Sequence, residues 1–194
     1  MAFLAHGALA EDMIVSHRPQ TAVGHDMGSG AIAANDVVLL DLFPVDLESA
    51  CFADLTRTFV VGEAPDEIRE WHTLCREALE LAVAEIRPGV NGGDLHRLVS
   101  ELFAERGFPT QLTKPEGEVL RDGFYHGLGH GVGLEVHESP ALGMIGEELV
   151  PGDVIAIEPG LYRHGFGGVR VEDLLLVTED GYERLTDCPY ELEV

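Results

Sequence analysis

A chain of 194 residues, 45% hydrophobic and 24% charged, has ordinary globular composition and enough apolar side chains for one sizeable core. Thirty-five acidic residues stand against twelve basic ones, a formal net charge of −23, and Lys114 is the sole lysine. A surface of that sign repels nucleic acid and anionic membranes, so neither is an expected partner.

No apolar run reaches the length that spans a bilayer. The N-terminal MAFLAHGALAEDMIV lacks a basic leader and carries Glu11 and Asp12, which argues against a signal peptide. Cys51, Cys75 and Cys188 are far apart and form no CxxC pair. They offer neither a disulfide framework nor a zinc ribbon and read as reduced thiols of a cytoplasmic protein.

Taken in chain order, residues 3–12 read as the end of a helix leading into a short strand over 13–16. Turn formers follow at Arg18-Pro19-Gln20 and Gly28-Ser29-Gly30. The segment Asp36-Val37-Val38-Leu39-Leu40-Asp41 is an apolar strand with acidic ends, and 52–61 is a second strand rich in Phe, Thr and Val. Pro65-Asp66-Glu67 opens a long helix whose apolar residues Ile68, Trp71, Cys75, Ala78, Leu79, Ala82 and Ile86 recur at three- and four-residue steps. Arg87-Pro88-Gly89 stops it. A second helix is expected over 94–106, with Gly107 just past its end. Strands then follow at 125–131, 154–158 and 169–177, the last closed by the turn Glu179-Asp180-Gly181. Strands, two helices and strands again describe an α+β domain with no linker that would split it.

Five chemically costly side chains sit in or beside those apolar stretches: Asp41, Asp54, His130, Glu158 and Glu172. Each has a bland reading when taken singly. Asp41 could close a strand end, Asp54 could pair with Arg57, Glu172 could pair with Arg170, and His130 could be a satisfied loop histidine. Glu158, directly after Val154-Ile155-Ala156-Ile157, resists that treatment, because a lone carboxylate among buried strand residues costs several kcal/mol. Together they would repel one another without a cation. Four acids and one imidazole suit hard-to-borderline ions such as Mn, Co, Fe or Zn. The glycines at 127, 129, 131 and 133 suggest close backbone approach, and with no helix after them they are not a nucleotide loop.

The segments DLFPVDLESACFADLTRTF, HGLGHGVGLEVHESP, AIEPGLY and GGVRVEDLLLVTEDG stand in the order seen in the creatinase/methionine aminopeptidase superfamily. The chain resembles that superfamily from about residue 10 to its end. Thr-Arg-Thr after Asp54, Glu-Pro-Gly-Leu-Tyr at Glu158 and Val-Arg-Val-Glu before Asp173 look like its Xaa-Pro aminopeptidase and prolidase branch. The resemblance implies a pita-bread fold and a cytoplasmic peptidase acting on short peptides, with two divalent metal ions, Mn or Co ahead of Fe or Zn. It implies that Asp41 holds one metal, that His130 and Glu158 hold the other, and that Asp54 and Glu172 bridge them. Glu158 would also shuttle a proton and His137 would steady the developing oxyanion. His25 would be the substrate-side histidine, His126 would line the pocket, and Arg170 would support Glu172. His17, His72, His96 and His164 have no motif behind them and are expected at the surface.

Two features depart from the family pattern. The stretch between Asp41 and Asp54 is longer than usual and lacks a glycine after the first Asp, which leaves Asp46 as a rival ligand; Asp41 is favoured because it ends an apolar strand. The fold would also lack its N-terminal helices, as expected of a fragment, a truncated product or a chain completed by a partner. A homodimer stays open. Residues 1–194 are expected to form a single, N-terminally short catalytic domain. The competing functions are a methionine or general aminopeptidase and a catalytically silent pita-bread domain used for binding.

Overall fold

The computed structural model describes residues 2–194. In chain order its elements are α1 (Ala2–Ala5), β1 (Ala8–Leu9), β2 (Ile14–His17), a 3₁₀ turn (Arg18–Ala22), β3 (Val37–Leu42), β4 (Val45–Asp46), β5 (Leu55–Val60), α2 (Asp66–Val83) and α3 (Gly92–Glu105). The second half supplies β6 (Gly129–Gly131), β7 (Glu138–Leu142), β8 (Val154–Ile157), β9 (Gly160–Arg163), β10 (Gly167–Arg170), β11 (Asp173–Val177) and β12 (Tyr182–Arg184). The mixed α+β arrangement expected from the order of patterns is the one found. None of these helices is long and apolar enough to cross a membrane.

Helix α2 begins where Pro65 fixes the entry, with Asp66 and Glu67 in its first turn against the positive end of the helix dipole. Helix α3 is capped by the Asn91 side chain, which accepts from the Gly93 N–H at 2.8 Å. It ends before Gly107, whose φ of +85° is the left-handed turn that glycine allows. The buried stripes of both helices join Leu142, Ile155, Ile157, Leu175 and Val177 in one core cluster. Each large side chain fully buried there, such as Phe103 or Leu79, stabilises by about 1.5–3 kcal/mol. The strands beneath form a five-stranded sheet of order β12-β11-β8-β6-β7.

The first half of the chain builds a separate antiparallel sheet of order β2-β3-β5. Its register places Ile14 opposite Asp41 and Asp41 opposite Thr56. Residues directly opposite share a face, so Asp41 and Thr56 are turned the same way.

Several expectations are corrected. The helix expected over 3–12 is a single turn, Ala2–Ala5, with no buried residue. The strand expected over 125–131 is reduced to Gly129–Gly131. The strand expected over 169–177 is two strands in different sheets: β10 pairs with β9, and β11 pairs with β8. Between them the Val171 N–H donates to the Pro159 carbonyl (3.3 Å) and the Glu172 N–H to the Thr56 carbonyl (3.1 Å). The chain changes partners there while its apolar pattern runs on unbroken. Three of the four histidines expected at the surface, His17, His72 and His96, are buried. His17 joins Asp36 (3.2 Å) to the Ser29 carbonyl (2.9 Å), so it ties together the two ends of the loop that carries His25.

Arg57 does not pair with Asp54. Its buried guanidinium holds Asp173 at 2.8 Å and donates to the carbonyls of Glu172 (2.6 Å), Cys188 (2.8 Å) and Pro189 (3.0 Å). The C-terminal residues continue along β5: the Val60 N–H donates to the Leu192 carbonyl and the Val194 N–H to the Val60 carbonyl. Arg57→Met leaves Asp173 buried with a weaker set of partners and frees the tail. Unfolding in urea should show a loss of about 3–5 kcal/mol, and a loss below about 1 kcal/mol would mean that Arg184 and Tyr190 suffice for Asp173.

Candidate active site

One cavity of about 970 Å³ opens between the two sheets, and the Asp41, Asp54, His130, Glu158 and Glu172 side chains all line it. Each arrives from a different element. Asp41 is near the end of β3, Asp54 precedes β5, and His130 is the middle residue of β6. Glu158 follows β8, and Glu172 stands where the chain crosses from β10 to β11. Asp46 is elsewhere: its carboxylate accepts from the Ser49 N–H (2.8 Å) and hydroxyl (2.7 Å) and does not line the cavity.

His130 Nε2 lies 3.8 Å from an Asp54 oxygen and 3.7 Å from a Glu158 oxygen. Ligand atoms of Asp54, His130 and Glu172 all lie within 4.8 Å of one another, a group able to hold a metal ion. His130 Nδ1 is 3.1 Å from the Gly131 carbonyl. A carbonyl only accepts, so Nδ1 carries the hydrogen and the Nε2 lone pair faces the carboxylates. Lone pair and carboxylate oxygens repel, and two buried oxygens, Asp41 Oδ1 and Asp54 Oδ1, have no hydrogen-bond partner. This donor set fits a divalent cation.

Arg170 is the one guanidinium among these acids. Its Nη2 donates to Asp41 at 2.6 Å, and its Nε lies 3.8 Å from Glu158. Arg170 reaches Glu172 through a relay: its Nε donates to the Thr56 hydroxyl (3.2 Å), which donates to Glu172 Oε2 (2.6 Å). A second branch runs from Arg170 Nη1 to the Tyr162 hydroxyl (3.2 Å), which lies 2.8 Å from His126 Nε2. His126 Nδ1 is 2.7 Å from the Gly127 carbonyl, so both nitrogens of this pocket histidine are engaged. Thr56 and Tyr162 were legible only as parts of the Thr-Arg-Thr and Glu-Pro-Gly-Leu-Tyr motifs, without a role of their own.

His137 stands with its ring perpendicular to that of His130, centroids 4.1 Å apart, and its face is open to solvent. His25 comes from the loop after the 3₁₀ turn, 6.5 Å from His137. His164 also lines the cavity and is exposed.

Burial and the neighbouring charges of Asp41 and Glu158 push Asp54 up to about 8. Burial pushes Glu158 up to about 7 and Glu172 well above the carboxylate range, with the Asp54 charge adding to the latter. Burial moves the imidazoles the other way, His130 to about 4 and His126 to about 3.

The sequence profile of metallopeptidase family M24 matches residues 1–179. The chain belongs to metallopeptidase family M24. An Xaa-Pro dipeptidase of Pyrococcus furiosus is 37% identical to the M24 chain over 185 residues, 94% of this chain and 49% of that protein. The solved structure of an Xaa-Pro dipeptidase from Bacillus anthracis superposes with a TM-score of 0.86 at 34% identity, covering 98% of this chain and 51% of that one. An X-Pro aminopeptidase from Thermotoga maritima superposes with a TM-score of 0.83 at 34% identity, covering 95% and 49%. The M24 chain shares the pita-bread fold of these structures and spans about half the length of the relatives it matches.

The shifts predict how stability responds to pH when divalent ions are removed with a chelator. Carboxylates raised in the folded state contribute stability at low pH that is lost as pH rises toward about 8. The lowered histidines act oppositely, but only below about pH 6.5, where the unfolded imidazole takes up a proton. Between about pH 6.5 and 8 only the carboxylates act, so the chelated M24 chain should melt lower at pH 8 than at pH 6.5. Each kcal/mol lost lowers Tm by about 2–4 °C at this size. Saturating Mn²⁺ should abolish the fall, and a Tm that stays flat in chelator would contradict the charge cluster.

Proposed function

We propose that this M24 chain is a dinuclear, metal-dependent peptidase that removes the N-terminal residue of short peptides, preferentially one followed by proline. The observation that carries this reading is the donor set around His130, in which one buried oxygen each of Asp41 and Asp54 has no hydrogen-bond partner. In this reading residues 1–194 act as a single catalytic domain holding two divalent ions, Mn or Co.

Asp41, Asp54, His130, Glu158 and Glu172 would hold the two ions. When bound, the ions lower the pKa of a water and polarise the scissile carbonyl. Glu158 would take the proton of the attacking water and deliver it to the leaving amine. His137 is open to the cavity beside His130, where it can donate to the oxyanion. His25 faces it and contacts the peptide from the loop side. Arg170 fixes Asp41 directly and Glu172 through Thr56. The engaged nitrogens of His126 make it a wall of the pocket, held through Tyr162.

Proline preference is supported by the names of the relatives and by the cavity wall. Ile14, Phe43 and Val136 line the cavity and offer an apolar surface to a pyrrolidine ring. The unpartnered carboxylate oxygens disfavour a silent binding domain, which gains nothing from keeping them buried.

The test is metal content together with hydrolysis of Ala-Pro and Met-Ala peptides in added Mn²⁺ or Co²⁺. About two ions per chain and cleavage of Ala-Pro are expected. Glu158→Ala should reduce turnover by about 10²–10⁴-fold, and His130→Ala should abolish it with loss of metal. His137→Ala should keep its metal and lose about 10²–10³-fold in kcat. Full activity in Glu158→Ala would end the assignment, and preference for Met-Ala would move it to a methionine aminopeptidase.

A further inference from the structure

The chain has twelve Lys and Arg residues among thirty-five acids, and almost all of them are engaged. Nine arginines hold carboxylates. Lys114 donates to the Glu118 carbonyl at 2.7 Å, and Arg76 lies over the Tyr190 ring at 4.7 Å. Among the described residues Arg121 alone has no hydrogen-bond, ion-pair or aromatic partner, and it lines the same cavity as the carboxylate cluster.

The backbone after Arg121 is fixed. The Asp122 carboxylate accepts from the His164 N–H at 2.7 Å. Gly123 and Tyr162 exchange N–H donations to each other's carbonyls, at 2.7 and 3.2 Å. Gly123 has a φ of +73°, and a Cβ there would lie 2.0 Å from the Pro109 carbonyl oxygen, so this contact is specific to glycine. Arg121 therefore extends from an anchored loop with its guanidinium unclaimed.

A peptide presents an ammonium at the end to be cleaved and a carboxylate further along. In the peptidase reading two divalent ions balance the four carboxylates and are held by them, so the charge of the cluster alone does not place the peptide's carboxylate. A carboxylate entering this cavity needs a cation that is not already paired, and a guanidinium offers it a bidentate fork. Resting on the peptidase reading above, we infer that Arg121 receives a carboxylate of the bound peptide and is a specificity-determining residue. That carboxylate is either the C-terminus of a short peptide or an acidic side chain beyond the scissile bond.

The experiment measures kcat/KM of wild type and Arg121→Met, with added Mn²⁺, for Ala-Pro, Ala-Pro-amide and Ala-Pro-Glu-amide. The wild type should favour a carboxylate-bearing peptide over Ala-Pro-amide by about 10- to 100-fold, as one charged hydrogen-bonded pair permits. A preference for Ala-Pro identifies the C-terminus as the ligand, and a preference for Ala-Pro-Glu-amide identifies the side chain. In Arg121→Met the ratio should collapse to within about threefold, chiefly through KM, and Arg121→Lys should restore part of it. Because the readout is a ratio within one protein, partial misfolding does not produce it. A wild type without the preference, or a variant that keeps it, overturns the inference while hydrolysis itself leaves the peptidase reading standing. A wild type that cleaves none of the three sinks that reading and this inference with it.

Discussion

Four carboxylates and an imidazole lone pair face one another across a few ångströms, in a space where Asp41, Asp54 and Glu172 are almost wholly removed from water. Two like charges 4 Å apart repel by about 4 kcal/mol at the effective dielectric of a protein surface. Several such pairs would approach the whole net stability of a domain, about 5–15 kcal/mol. A single guanidinium, that of Arg170, stands against them. It satisfies one oxygen of Asp41 and, through Thr56, one of Glu172. What remains must be met by protons or by cations, and the rest of the architecture keeps the groups from escaping.

That confinement comes from where the groups sit. Asp54 and Glu158 are at strand ends, and Glu172 lies at a crossing between strands. Backbone bonds fix two of these points directly: the Glu158 N–H donates to the Leu128 carbonyl and the Glu172 N–H to the Thr56 carbonyl. His130 is placed by close packing. A Cβ on Gly129 would lie 1.9 Å from the Ala156 carbonyl oxygen, and one on Gly131 would lie 2.1 Å from that of Ser139. The glycines let β6 lie tightly between its neighbours. Gly127, with its nearest such atom at 3.4 Å, is under no such demand.

Much of this was readable before any coordinates. Periodicity revealed α2 and α3, and acids embedded in apolar strands singled out the five cluster residues. The break at Val171 and Glu172 was hidden because a run such as Val-Arg-Val-Glu-Asp-Leu-Leu-Leu-Val looks the same whether its hydrogen bonds go to one sheet or to two. His72 was misplaced by residue type. It lies four residues after Ile68 and three before Cys75, so helical spacing alone puts it on the buried face. His96 stands three residues before Val99 in the same way. Thr56 and Tyr162 act through partners more than a hundred and some thirty-six residues distant in sequence, respectively, and no local pattern announces such pairings.

The C-terminal segment ties this centre to the outer edge of the molecule. Val194 and Leu192 bond to Val60, Arg57 grips the carbonyls at 188 and 189, and the same guanidinium holds the Glu172 carbonyl. A pull applied after Val194 would therefore act on a segment that Arg57 joins directly to the Glu172 carbonyl. At the opposite terminus, α1 buries none of its residues. A load applied there meets no buried side chain of the helix itself.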